Sequence, residues 1–171
     1  MGLDMYLYKK TWVSDNGLKL VEPDGKIQPE RIRCVYEEIG YWRKANAIHN
    51  WFVQNIQDGN DDNEEYEVSI EVLMRLRNTC LDVLASCELV PGKISDGYAA
   101  SPGEPLHEVF VDGQMIRDSY VAEQLLPTVS GFFFGGTDYD QYYVEDLKNT
   151  VKIIEEALKD EYATYIYSSS W

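Results

Sequence analysis

The chain is poor in the residues that most often announce a chemistry. Of its 171 residues, three are cysteines and two are histidines. Cys34, Cys80 and Cys87 are odd in number and lack zinc-knuckle spacing. On one helix, Cys80 and Cys87 would lie ~10 Å apart along the axis, too far for a disulfide. The expectation is three free, mostly buried thiols in a cytosolic protein. His49 and His107 show no ligand spacing, so neither a metal nor a cofactor is expected. Long apolar runs are also missing: none reaches the ~18 residues of a membrane span. The start, Met1-Gly2-Leu3-Asp4, lacks the basic region and apolar core of a secretory signal. Tyr6 stands where a myristoylation start carries Ser or Thr. No Walker loop, serine elbow, Cys–His pair or dinucleotide fingerprint is present.

Basic residues are scarce too. The net charge is −15. Residues 1–57 hold 8 Lys/Arg against 7 Asp/Glu, whereas residues 58–171 hold 7 against 23. Direct nucleic-acid binding needs a basic stripe and is not expected. An anionic ligand still suits the amino-terminal third. The acidic remainder suits a basic partner or serves solubility.

What is present reads as one globular domain over 1–171, since the chain carries 44% hydrophobic and 13% aromatic residues. Leu3, Met5 and Leu7 alternate with Tyr6 and Tyr8, which predicts a first strand. The turn signals Asp15-Asn16-Gly17 and Pro23-Asp24-Gly25 predict a hairpin or loop over 11–30. A second strand is read at 31–36. A helix is read from about 42 to 57, with Ala45, Ile48, Phe52 and Ile56 as its apolar stripe and Gly59 as its end. The polar run 58–63 reads as a solvated loop; it lacks the order of a calcium loop.

Ser69 caps a predicted helix from 70 to about 88, with Leu73, Leu76, Cys80, Val83, Leu84 and Cys87 inward. Residues 88–120 read as an irregular excursion, containing a β-hairpin near 105–118 that turns at Asp112-Gly113. A short helix runs from Ser119 to Leu126, and Pro127 stops it. Gly131-Phe132-Phe133-Phe134-Gly135-Gly136 reads as a short buried strand. Asp138 and Gln141 form a capping-box pattern for a last helix over about 139–161, with Lys152/Glu156 and Glu155/Lys159 as i,i+4 pairs. The tail 162–167 reads as an edge strand. The predicted fold is α+β: three main helices on a mixed or antiparallel sheet.

Two stretches carry candidate binding residues. In the first, Trp42 or Trp51 would stack a planar ligand, Asn46 and His49 would hydrogen-bond it, and Arg43 or Lys44 would meet an anionic group. The plainer alternative makes Asn46 and His49 satisfied buried groups bracing a loop. His49 is the one catalytic candidate, and it lacks a sequence-local base or nucleophile. In the second stretch, the glycines allow close approach beside Phe133, and Thr137 and Asp138 open a helix end that favours anions. Asp138 and Asp140 oppose a phosphate there.

Three runs together carry a resemblance. They are Met1-Gly2-Leu3-Asp4-Met5-Tyr6-Leu7, Tyr41-Trp42-Arg43-Lys44-Ala45-Asn46-Ala47-Ile48-His49-Asn50-Trp51-Phe52, and the stretch from Leu125-Leu126-Pro127-Thr128 through Thr137-Asp138-Tyr139-Asp140-Gln141-Tyr142-Tyr143. In these runs the chain resembles a family of small uncharacterised proteins of tailed bacteriophages and prophages. The family carries no established activity. It implies a protein made in the cytoplasm of a bacterial host. Such a protein acts by engaging a host component with a basic surface, and inhibition of antiviral defence is the expected outcome. A small nucleotide-like ligand is the alternative partner, and a hydrolase using His49 a further one. A homodimer is compatible with the sequence.

Overall fold

The computed structural model describes residues 2–13, 31–100, 103, 105–131, 133–160 and 162–171. Most of the excursion expected over 11–30 lies outside them, as does Phe132. Among the described residues the chain runs β1 (Asp4–Trp12), β2 (Cys34–Arg43), α1 (Asn46–Ile56), β3 (Tyr66–Val68), α2 (Ile70–Ser86), β4 (Leu89–Ala99), β5 (His107–Ile116), α3 (Tyr120–Leu125), α4 (Gln141–Ala157) and β6 (Thr164–Ser170). This is an α+β fold with two antiparallel sheets, one ordered β2-β1-β6-β3 and the other a β4-β5 ribbon.

The alternation in β1 sets the larger sheet. Leu3, Met5 and Leu7 are fully buried, while Tyr6 and Tyr8 take the opposite face. Burying one such side chain contributes roughly 1.5–3 kcal/mol. A one-residue slip would expose all three, which fixes the register. Leu73, Leu76, Cys80 and Val83 of α2 meet Tyr143, Leu147 and Ile154 of α4 in the same core, with Ile48 and Phe52 of α1. Gly40 lets β2 pass under α4: a Cβ there would stand 2.3 Å from Ile153 Cγ2.

Several expectations are corrected. The helix read from 42 begins at Asn46, and Trp42 and Arg43 end β2, paired with Met5 and Asp4. The strand read at 31–36 is therefore the start of a longer one, Cys34–Arg43. Pairing with β1 overrides the helical period, and Lys44 turns the chain at φ +60. The first part of the excursion read as irregular over 88–120 is a strand, β4. Asp112 and Gly113 are no turn: they sit within β5, with Gly113 opposite Gly92. The hairpin therefore spans Leu89 to Ile116 rather than 105–118. Ile94 covers Gly113 and Met115 covers Gly92, so each glycine makes room for a cross-strand side chain.

Among the described residues of 131–136 no strand forms; Phe134 N–H bonds back to the Gly131 carbonyl at 3.2 Å. The last helix is α4, capped by Asp140 rather than Asp138, and it ends at Ala157. β6 is interior, not an edge, because β3 pairs on its far side. Glu155 pairs with Arg77 of α2, and Lys159 with Glu156, in place of the expected i,i+4 pairs. Ser69 caps α2 as predicted, accepting from Val72 N–H.

Candidate functional site

Lys44 carries the chain from β2 into α1 against the loop 128–138. Gly135 takes φ +89 and packs so closely that a Cβ would lie 3.0 Å from Lys44 Cβ. Asn46 ties this loop down. Its amide nitrogen donates to the Phe134 carbonyl at 3.1 Å and the Gly136 carbonyl at 2.7 Å, and its oxygen accepts from Val129 N–H at 3.0 Å. One buried side chain thus holds both limbs of a glycine-rich loop to the first turn of α1. Thr128 adds a bond from its hydroxyl to the Thr137 carbonyl.

Beside this junction opens a cleft of about 890 Å³. Its walls are the β2–α1 junction, the 128–138 loop, the amino end of α4 and the distal part of the β4–β5 ribbon. It collects Arg43, Lys44, Asn46, Phe133, Thr137 and Asp138 from the predicted binding residues. Trp42, His49 and Trp51 stand elsewhere. Trp42 is buried, and its indole N–H donates to Thr150 Oγ1 at 2.8 Å. Trp51 is buried with the Arg75 guanidinium 5.4 Å from its ring. Neither indole has a free face toward the cleft.

His49, three residues on from Asn46, is buried and does not line the cleft. Nε2 lies 3.1 Å from Asp61 Oδ1, and Nδ1 lies 2.8 Å from the Tyr167 hydroxyl. A carboxylate only accepts, so Nε2 carries the proton, and in the neutral ring Nδ1 accepts from Tyr167. Phe134 and Trp171 pack edge-on or tilted against the imidazole. The ring has the carboxylate that base chemistry requires, but at 1% exposure it meets no ligand. Its bonds join α1, β6 and the 58–63 loop.

The cleft also contains Asp140, which the sequence reading names only as opposing a phosphate, and residues the sequence did not single out: Glu145 and Asp146 from α4, and Asp96, Tyr98 and Glu108 from the ribbon. Asp140 receives Tyr142 N–H at 2.8 Å and Tyr143 N–H at 3.1 Å. Burial still holds its carboxyl above the usual range, and Asp138 adds to the shift against those bonds. Burial pushes the Asp146 carboxyl up to about 7, with the Asp140 and Glu145 charges adding to it. Among the described residues, no three His, Cys, Asp or Glu side chains converge to hold a metal ion. No described helix is long and apolar enough to cross a membrane.

No family model, curated protein or solved structure matches this chain. The cleft's chemistry therefore follows from its geometry. Four exposed carboxylates, Asp96, Glu108, Asp138 and Glu145, face two cations, with the more buried Asp140 and Asp146 behind them, so its field favours positive charge except near Arg43 and Lys44.

Asp146 gives this field a stability signature. Its folded value exceeds its unfolded value, so between about pH 4 and 7 the folded chain keeps a proton the unfolded chain has lost. Stability falls as pH rises through that window. Asp146→Asn should add roughly 1–2 kcal/mol at pH 8, discounting for partial exposure, and almost nothing at pH 4. Urea melts at both values check this; equal effects at both would contradict it.

Proposed function

We propose that this protein acts by binding, and that the cleft receives a basic segment of a partner protein. The observation that carries this is the imbalance of its walls: the exposed acids Asp96, Glu108, Asp138 and Glu145, backed by Asp140 and Asp146, against Arg43 and Lys44. A lysine side chain entering from solvent meets carboxylates from three directions, and complementary charge of this kind speeds and orients association. In the bacteriophage setting that the sequence resembles, the partner is a host component with a basic surface, one that otherwise meets nucleic acid. Covering that surface in the host cytoplasm would block a host function such as antiviral defence.

The test is titration with a fluorescent lysine-rich peptide at 0.01 M and 0.15 M salt, where the screening length falls from about 30 Å to about 8 Å. Saturable binding that weakens at least tenfold is expected. No binding at low salt, or affinity indifferent to salt, would contradict the reading.

One observation favours a second ligand class. The amino end of α1 lines the cleft through Asn46, Ala47 and Ile48, next to Arg43 and Lys44. Ala45 supplies no side-chain cap, and the first turn holds no acidic residue. That end suits an anionic group, as in a small nucleotide-like ligand. A nucleotide at 100 times its dissociation constant adds about 2.7 kcal/mol of stability, visible as a thermal shift. No shift across a nucleotide panel would reject this second reading.

A further inference from the structure

The four-stranded sheet has a second face, opposite Leu3, Met5 and Leu7, that the described helices do not cover. The pairing β1–β2 puts Tyr6 opposite Tyr41 and Lys10 opposite Tyr36. Tyr8 shares that side with Tyr6 by alternation, and the bulge in β2 between Gly40 and Glu38 brings Glu38 and Tyr36 onto the same face as Tyr41. The result is a continuous row of rings. Tyr41 and Tyr6 lie 5.3 Å apart, Tyr6 and Tyr8 5.7 Å, and Tyr8 and Tyr36 6.0 Å. None of the four lines the cleft.

The row already holds one cation. Lys10 Nζ lies 5.5 Å from the Tyr36 ring and 4.9 Å from the Trp12 ring. Carboxylates stand at both ends: Tyr41 donates to Asp4, and Tyr36 donates to Glu65 at 3.3 Å. Glu38 lies beside Tyr8, and Glu67 follows on the same face opposite Ile166. Four carboxylates thus border the rings, against Lys10 and Arg43. Burial, then the Glu38, Tyr6 and Glu65 charges, push the Tyr8 hydroxyl above its usual range.

Aromatic faces and edges bordered by acid suit a weakly hydrated planar cation, and arginine fits that description better than lysine. We propose that this sheet face is an arginine-docking surface, on which Tyr6, Tyr8, Tyr36 and Tyr41 receive guanidinium groups of a basic partner as Tyr36 already receives Lys10. The surface meets the cleft only at Arg43, and its selectivity differs: the cleft responds to charge, the tyrosine row to the guanidinium plane.

The experiment compares tetra-arginine and tetra-lysine peptides by calorimetric titration at low salt. The native protein should bind tetra-arginine at least fivefold more tightly. Tyr6→Leu with Tyr8→Leu should erase that preference. Lys10→Gln, which vacates one ring site on an accessible strand, should tighten tetra-arginine two- to threefold. Tyr41→Leu at the half-exposed sheet edge gives a milder loss should the double variant fail to fold. Asp138→Asn with Glu145→Gln should weaken both peptides alike and leave the preference intact, which separates this surface from the cleft. Equal affinities for the two peptides, an arginine preference that survives Tyr41→Leu and the tyrosine pair, or weakening by Lys10→Gln would overturn the proposal. Deca-thymidylate displacing tetra-arginine, with its own binding lost in Lys10→Gln, would also overturn it and identify a single-stranded nucleic-acid face.

Discussion

Asn46→Ala should destabilise the protein by about 3–5 kcal/mol, because it strands several buried polar groups at once. The Asn46 amide is 4% exposed and makes three hydrogen bonds, to Phe134, Gly136 and Val129. Each buried group left without a partner costs about 1–3 kcal/mol, and partial exposure of the Gly136 and Val129 ends lowers the sum. Urea unfolding should show a lower midpoint with little change in slope. The same substitution should abolish ligand binding, since Gly135, Gly136, Thr137 and Asp138 form the wall that Asn46 holds in place. A loss under 1 kcal/mol would mean that other contacts hold the loop.

Asp138→Lys with Glu145→Lys should weaken the lysine-rich peptide at least 100-fold at 0.01 M salt. By the affinity relation that is about 2.8 kcal/mol. Both side chains belong to exposed residues, so stability should change by less than about 0.5 kcal/mol per site. The net charge moves from −15 toward neutrality, so the matching control is Glu64→Lys with Asp82→Lys, two exposed positions outside the cleft. The control should cost no more than a few-fold. Equal losses in the two pairs would assign the attraction to the overall field instead of the cleft.

Much of the fold was legible because its patterns are local. Leu3, Met5 and Leu7 announce β1 through a period of two, and the α2 stripe announces itself through a period of 3.6. Trp42 was misassigned because its neighbours fit a helical period, and only its pairing with Met5, 37 positions away, makes it strand. The β4–β5 ribbon hid behind its glycines. Asp112-Gly113 reads as a turn, and the role of Gly113 appears only when it faces Gly92 under Ile94 and Met115.

The site was half legible for the same reason. Arg43, Lys44 and Asn46 share one run, and Phe133, Thr137 and Asp138 share another, so composition flagged them. Asp96, Glu108, Glu145 and Asp146 gave no signal, since an acid on a ribbon or helix surface reads as solvated. Their convergence depends on where the ribbon crosses the amino end of α4, at the Met115–Asp140 bridge and the bond from Gln114 N–H to Gln141.

The most direct test is to map the lysine-rich peptide on the protein by amide chemical-shift changes at low salt. The shifts should be saturable and should concentrate at Gly135, Gly136, Asp138, Glu145 and the Asp96–Tyr98 end of the ribbon. Saturable shifts confined to residues outside the cleft, such as the exposed face of α2, or no shifts at all, would contradict the cleft as the binding site.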